Sequence, residues 1–446
     1  MKGLDRMNSY EQKKLILLND FKEKSKYGKI GINKKTSNLF RNREGNKQKI
    51  NIRDFNKVIS IDKENLTAEV EGMTTFETLV NETLKHNLLP PVVPQLKMIT
   101  LGGAISGIGI EASSFKYGLV HETVIEMDII TGKGEIITCS RKENSDIFYG
   151  IPNSYGTLGY ILRAKIKLIK AKNFVKLEHR KYENSQSYFR DIADLCRNKN
   201  YDFIDGTVFN ENEMYITLGT FTYDVPYKSN YKYMKIFYKS IQKNKTDYLT
   251  TSDFIWRWDP DWFWKSKVFL MQNFIPRLLF GKFMLNSKFY LALKKFNEKY
   301  KVTKLFSKFK KKSEAVIQDV GIPIENCISF FNFFNSEIKI KPFWICPMKQ
   351  INQTIFPLFE LDSNKLYIDF GFWDFVESNK EEGFYNRLIE GEVERLKGKK
   401  SLYSESFYNK ENFYKIYNGK VYFVTKKKYD PHNVFLDLYE KCVNRR

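Results

Sequence analysis

The sequence is poor in the residues that make many functional classes easy to assign. It has five scattered cysteines, an odd number with no C-x-x-C pair. That excludes a disulfide framework and points to a reducing compartment. Its four histidines, at 86, 121, 179 and 432, are too few and too dispersed for a metal site, and no metal is expected. His121 enters a strand-like segment and reads as structural. Twenty-four Gly and twelve Pro in 446 residues exclude a collagen-like or low-complexity chain. No apolar run reaches the roughly 18 residues of a membrane-spanning helix. The first twenty residues lack the apolar core of a signal peptide. A cytoplasmic protein is expected, soluble or peripheral on the inner face of a membrane. There is no G-x4-G-K-[ST] and no H-E-x-x-H, so phosphate-loop and zinc-protease chemistry have no support.

Arginine is also scarce. Lys and Arg total 74 against 52 acids, a net charge of +22, but only 15 of the 74 are Arg. Such a charge suggests an anionic partner. Nucleic-acid readers lean on Arg for bidentate contacts, however, and a Lys-rich chain also follows from AT-rich coding. The apolar fraction of 42% excludes a disordered chain, and the length allows two or three domains.

Periodicity organises the first 170 residues as α+β. A helix is expected over 9–27 with Leu15, Leu17 and Leu18 on one side, and strands over 50–71 around Asp62-Lys63-Glu64-Asn65. A helix over 74–86 would be capped by Thr74 or Thr75 and bury Phe76, Leu79, Val80 and Leu84. Strands are expected at 122–130, 135–139 and 158–169, then near 204–224 and 364–373. Helices follow near 284–300, 380–397 and 408–428.

Between them, residues 89–118 are rich in Gly, Pro, Ser and Thr with few charges, as suits a segment wrapped around a ligand. Gly107-Ile108-Gly109-Ile110-Glu111-Ala112 matches G-x-G-x-x-A, but no buried strand precedes it and no good helix follows, so a Rossmann domain is rejected. The glycines allow close backbone approach and an anion-binding nest, with Thr100, Ser106, Ser113 and Ser114 as neutral donors. Such a site suits a cofactor pyrophosphate.

The segments GMTTFETLV (72–80), LPPVVPQLKMITLGGAISGIGIEASSFKYGLVHETV (89–124), ENSDIFYGIPNSYGTLGYILRAKIKL (143–168) and DLYEKCV (437–443) resemble the delta-24-sterol reductase group of flavoproteins. KKTSNLFR (34–41), RWDPDWFW (257–264), KSLYSESFY (400–408) and YDP (429–431) place the resemblance closest to the bacterial members. It implies an α+β fold: a two-subdomain FAD-binding domain of the para-cresol-methylhydroxylase (vanillyl-alcohol-oxidase) type over 1–170, and an α+β substrate or cap domain over 171–446. The first subdomain, about 1–72, is abbreviated. The cap would include the basic-aromatic segment 265–312 and the C-terminal segment 400–446.

The resemblance also implies the cofactor site. Thr100, Leu101, Gly102, Gly103, Ala104, Ile105, Ser106, Gly107, Ile108, Gly109, Ile110, Glu111 and Ala112 would lie over the FAD pyrophosphate and flavin. Ser113, Ser114, Tyr117 and Gly118 would continue that wall. Gly156, Thr157, Leu158, Gly159 and Tyr160 would line the cofactor, with Ile161 toward the adenine. Thr36, Ser37 and Asn38 stand at the usual first phosphate loop, without its common G-G-x-S or G-G-H. No His or Cys lies in 28–45, so FAD is expected to bind noncovalently.

Reduction of a carbon–carbon double bond needs a hydride from the cofactor and a proton from the protein. The expected catalytic residues are Lys399 and Tyr403, in a polar-aromatic segment with Tyr408, and Arg257 and Asp259, which stand with Asp261 among Trp256, Trp258, Trp262 and Trp264. Asp369, Trp373 and Asp374 form a third group. Independently of any resemblance, residues 265–312 hold fourteen Lys and Arg against one acid, Glu298, interleaved with Phe and Leu. That pattern suits an interfacial segment on anionic lipid better than a nucleic-acid surface, since Arg is nearly absent.

The expected function is FAD-dependent reduction of an isolated double bond in a lipophilic, sterol- or isoprenoid-like substrate, with NADPH as donor. The alternatives are a FAD-dependent alcohol or hydroxy-acid dehydrogenase or oxidase, and a basic lipid- or nucleic-acid-binding protein with a vestigial flavin fold. The oligomeric state is left open.

Overall fold

The computed structural model describes residues 2–34, 40–41, 48–198, 200–300 and 312–444. The chain opens with a helix, Lys2–Ser25, that buries Tyr10, Leu17 and Phe21. Leu15, expected on the inner face, is 65% exposed. The spacing explains the correction: Tyr10, Leu17 and Phe21 fall on one helical stripe, and Leu15 lies off it. The helix docks on the first sheet, where the Tyr10 hydroxyl donates to Asp128 Oδ2 at 2.8 Å.

Strands β1 (Ile30–Asn33) and β2 (Gln48–Asn51) pair in parallel. Then come β3 (Val58–Asp62), β4 (Thr67–Glu71) and the short β5 (Leu88–Leu89), followed by β6 (Val124–Ile130), β7 (Ile136–Ser140) and β8 (Tyr160–Lys167). They form an antiparallel five-stranded sheet in the order β3-β4-β8-β6-β7, with β5 pairing separately with β9 (Ile169–Lys170). Arg163 on β8 spans this sheet, bonding Asp128, Glu126 and Glu69 at 2.7–3.1 Å. The helix Phe76–Leu84 starts at Thr75, whose hydroxyl accepts from the Thr78 amide, and buries Phe76, Leu79, Val80 and Thr83.

The second sheet contains β10 (Phe174–Tyr182), β11 (Phe203–Asn210), β12 (Glu213–Thr222), β13 (Thr246–Thr250), β14 (Ser313–Pro323), β15 (Phe343–Met348), β16 (Tyr367–Glu377) and β17 (Lys399–Lys400). Their order is β13-β10-β12-β11-β15-β16-β14-β17, antiparallel throughout. Helices Phe274–Met284 and Ser287–Tyr300 leave this sheet between β13 and β14; the second is the helix expected near 284–300, and the first precedes it. The helix expected over 408–428 is two, Lys410–Ile416 and Gly419–Tyr429. Asn418 between them has φ 48°, which breaks the helical path, and its side chain caps the second helix.

The sheets share one core. Val70 from the first, with Ile105 and Leu158 packed beside it, clusters with Val175, Trp344 and Trp373 from the second. The final helices return to the first sheet. There Lys426 Nζ bonds Asp430 Oδ2 (2.6 Å) and the carbonyls of Thr157 (2.8 Å) and Phe435 (3.0 Å). Among the described residues no helix is long and apolar enough to cross a membrane, and no group of three His, Cys, Asp or Glu could hold a metal.

Candidate active site

A cavity of about 280 Å³ opens between the two sheets. One wall is the turn from Thr100 to Ile110, and Gly156, Gly159, Tyr160 and Ile161 adjoin it. Opposite stand Asp319 on β14, Trp344 on β15 and Trp373 on β16, with Trp262, Phe263, Tyr290 and Tyr403. Residues far apart in sequence thus meet there because the glycine-rich turn faces the second sheet.

The turn is built locally. Thr100 is extended and its hydroxyl accepts from the Gly103 amide at 3.3 Å, starting the helix Leu101–Ser106. The expected nest of free amides is not found at its start. The Leu101 amide donates to Thr74 O (2.9 Å) and the Gly102 amide to Gly72 O (2.8 Å). Gly102 is therefore a packing residue: a Cβ there would lie 2.9 Å from the Gly72 carbonyl oxygen. Gly103 is different, since an added Cβ would meet only the Thr100 hydroxyl. Its open side belongs to the cavity.

The wall stops at Ile110, short of the expected extent. Glu111 turns away and takes Arg257 Nη2 at 3.2 Å. Ala112 O accepts from Ile204 on β11 (2.7 Å), Ser113 donates to Pro91 O (2.7 Å), and the Ser114 hydroxyl accepts from the Glu111 amide (3.0 Å). Phe115 enters the core of the second sheet. Residues 111–115 are thus a clamp between sheets, and burial of Phe115 contributes about 2–3 kcal/mol. Tyr117 and Gly118 lie beyond the cavity, Gly118 at φ +78° against Glu122. Leu101, Ile105 and Leu158 are core residues, and Thr157 donates to Ser154 O at 2.8 Å. Thr36, Ser37 and Asn38 lie outside the described residues; on either side Ile32, Lys34 and Phe40 line the cavity.

Burial shifts several of the titratable groups at the cavity. Trp373 Nε1 donates to the Tyr403 hydroxyl at 2.8 Å. Burial raises the Tyr403 phenol, and Asp319 adds to the rise. The Asp319 carboxyl is itself pushed up to about 7 by burial, opposed by hydrogen bonding with Tyr403. Burial pushes the Lys265 amine down to about 8, against the pull of Asp374 3.8 Å away. Beside the cavity, the Arg41 guanidinium lies 5.0 Å from the Tyr155 ring. It donates to Lys441 O at 2.9 Å, while its buried Nε and Nη2 have no partner among the described residues. An unpaired buried guanidinium calls for an anion.

Comparison with known proteins agrees with this chemistry. A family model described as an FAD binding domain matches residues 32–140. The chain is 27% identical over 410 residues to Delta(24)-sterol reductase of Rattus norvegicus, covering 88% of this chain and 76% of that protein. For Delta(24)-sterol reductase of Arabidopsis thaliana the figures are 27% over 443 residues, 89% and 77%. Cytokinin dehydrogenase 1 of Arabidopsis thaliana is 35% identical over 141 residues, 31% of this chain and 24% of that protein. The chain is an FAD-dependent oxidoreductase, similar to the delta(24)-sterol reductases. The cavity fits that cofactor: a wall open at glycine, aromatic rings opposite, and alongside a guanidinium with two nitrogens unpartnered among the described residues.

In this oxidoreductase only Tyr403, of the four expected catalytic residues, lines the cavity. Lys399 Nζ instead donates to Ile416 O at 2.7 Å, on the far side of β17. Arg257 is sealed between Asp205 (2.6 Å) and Glu111 (3.2 Å). Asp259 accepts the amides of Lys97 (3.0 Å) and Ser287 (3.3 Å), tying the glycine-rich segment to the helix Ser287–Tyr300. Asp261 makes a bidentate pair with Arg277 at 2.7 and 3.0 Å. The charged residues of RWDPDWFW are therefore struts, placed by long-range pairing that a single sequence does not display. Tyr408 packs in the core, and Asp374 pairs with Lys267 at 2.6 Å. His121 is buried against Phe356, and burial holds its imidazole down at about 3, so it stays neutral.

Sequence reading missed Asp319, Lys265, Tyr155 and Tyr290 at the cavity. A lone acid in the apolar run Ala315–Pro323 was the available signal for Asp319. Trp262 and Phe263 have φ of 48° and 64°, unusual for bulky residues, and that turn puts both rings on the cavity.

Proposed function

We propose that the oxidoreductase reduces an isolated carbon–carbon double bond in a lipophilic, sterol- or isoprenoid-like substrate, with NADPH as electron donor. The observation that carries this reading is the wall facing the glycine-rich turn. Trp262, Phe263, Trp344 and Trp373 make an apolar surface, and the Tyr403 hydroxyl is a polar group set into it. The relatives named for sterol reduction support the substrate class.

The turn Thr100–Ile110 with Gly156, Gly159 and Tyr160 would hold FAD, and Arg41 would meet its diphosphate. Bound FAD supplies the hydride. The chain positions the substrate against the aromatic wall, excludes water and holds a proton at Tyr403 Oη. The Trp373 indole fixes that oxygen as an acceptor, leaving its proton to point elsewhere. In this reading the five-stranded sheet belongs to a two-subdomain FAD domain of the para-cresol-methylhydroxylase type over 1–170. The eight-stranded sheet, residues 171–446, is the substrate domain.

The substrate would come from a membrane. The helix Phe274–Met284 is inverted: Arg277 and Gly281 face the protein, whereas Phe274, Ile275, Leu279 and Phe283 face out, Phe283 at 76% exposure. An apolar outer face within the most basic segment of the chain suits an anionic bilayer. Five free, buried cysteines agree with a reducing, cytoplasmic setting.

Purified protein should show flavin absorbance, bleached by NADPH and restored by a sterol or isoprenoid alkene but not by its saturated analogue. A colourless protein that cannot be reconstituted with FAD would refute the proposal. Flavin bleached by a hydroxylated substrate and not by NADPH would reverse the direction of the reaction.

A further inference from the structure

Beneath the aromatic wall lie two carboxylates that the proposed reaction has not yet used. In the antiparallel register of β14 and β16, Asp319 stands opposite Gly371 and Asp369 opposite Gly321. Each aspartate faces a residue without a side chain, so both carboxylates lie on one face of the sheet as diagonal neighbours, about 7 Å apart at the backbone. Gly371 is required for this arrangement: a Cβ there would lie 2.9 Å from Asp319 Oδ1 and 2.7 Å from the Trp373 ring.

Asp369 is fully buried, and neither of its oxygens has a hydrogen-bond partner among the described residues. Asp319 Oδ1 is sealed and unpartnered as well, while the rest of the residue opens to the cavity. A buried carboxylate without a donor is strongly unfavourable and is relieved by protonation. Two such groups side by side cannot both ionise, and their titration belongs to the pair. Among the described residues, the other titratable groups around them do not supply a neutralising ion pair. They are Tyr403 beyond β17, Tyr155 under Arg41, Cys346 on β15, and Lys265, which turns to Asp374.

We propose that Asp319 and Asp369 share one proton and deliver it through the Tyr403 hydroxyl into the cavity. This rests on the reduction proposed above. The Tyr403 O–H bond breaks as a C–H bond forms at one alkene carbon, and the hydride of the reduced flavin goes to the other. At the same time Asp319 passes its proton to Tyr403 Oη, and the pair is reprotonated from bulk solvent once the reduced product has left the cavity. The relay explains how so weak an acid can serve. Burial keeps the Tyr403 phenol well above its ordinary range, and simultaneous transfer spares it from carrying a full phenolate charge. Asp319 and Asp369 act through Tyr403 and are positioning residues.

Infrared spectroscopy of the FAD-loaded enzyme tests the shared proton without any substrate. The wild type should show a carboxylic-acid C=O band at pH 6 that persists well above the ordinary carboxylate range and fades only at higher pH. The band should be shifted or lost in Asp319→Asn and Asp369→Asn. Single-turnover reoxidation of reduced flavin by an alkene should slow with the same pH midpoint, and by about 100-fold in Asp319→Asn. Asp369→Asn should move the midpoint while leaving the flavin spectrum unchanged. No acid band in the wild type at pH 6 overturns the proposal. So does a pH profile that both variants leave in place. An acid band in a protein whose flavin no alkene reoxidises would keep the shared proton and overturn its delivery, together with the proposed reaction.

Discussion

Replacing Arg257 with Met should damage the fold and spare the chemistry. Arg257 is 3% exposed and makes hydrogen bonds to Asp205 (2.6 Å), Glu111 (3.2 Å) and Phe254 O (3.0 Å). Methionine fills much of the volume but leaves two carboxylates without their cation. Asp205 keeps the Trp344 indole at 3.2 Å and Glu111 keeps the Ala112 amide at 2.8 Å. Breaking a buried pair in this way costs about 3–5 kcal/mol. At about 2.1 cal/mol/K per residue, a chain of this length unfolding as one unit loses about 1 °C per kcal/mol, so the melting temperature should fall by ~3–5 °C. The deficit should depend on pH. Burial holds the Glu111 carboxyl up at about 7, and Arg257 is the main influence lowering it. A raised carboxyl contributes stability below its unfolded value near 4.3, and that contribution is lost as the pH rises through the folded value. Removing Arg257 raises the folded value further, so the variant should be closest to wild type near pH 6 and furthest from it near pH 8. Thermal melts at both pH values, paired with flavin reduction per bound FAD, are the assay. Slowed flavin chemistry with an unchanged melt would refute the assignment of Arg257 as a strut.

Gly102→Val should abolish retention of FAD on a desalting column, because its side chain cannot fit against Gly72; a yellow variant would refute the packing role. Tyr403→Phe should keep the flavin spectrum and slow reoxidation by an alkene by about 100-fold or more, read by stopped flow; an unchanged rate would remove Tyr403 from the proton path. Replacing Phe274, Leu279 and Phe283 together with Ser should lower flotation with anionic liposomes without altering the melt, and unaltered flotation would exclude that helix as the membrane contact.

Much of the fold is legible in the sequence because short-range chemistry encodes it. Thr75 caps a helix whose apolar stripe is regular, and the antiparallel strands around Asp62-Lys63-Glu64-Asn65 alternate as strands do. The cavity wall from Thr100 to Ile110 is visible because uncharged glycine-rich runs are rare on surfaces. What the sequence hides is pairing across long distances. Arg257 and Asp259 carry the same signature as catalytic charges until Asp205, Glu111 and the Lys97 and Ser287 amides are seen around them. Lys399 is one residue from the fully buried Lys400 and points to a different neighbour. Asp319 reaches the cavity through a strand register that only the folded sheet defines.

The return of the last helices to the first sheet has a consequence for biosynthesis. The Thr157 carbonyl beside the cavity is held by Lys426, and Tyr403 and Lys441 line the cavity itself. A nascent chain still attached to the ribosome at residue 400 has translated the whole glycine-rich turn but lacks these parts. Cofactor loading should therefore follow translation, and a protein cut short near its end should emerge without colour even though every residue of the matched FAD segment is present.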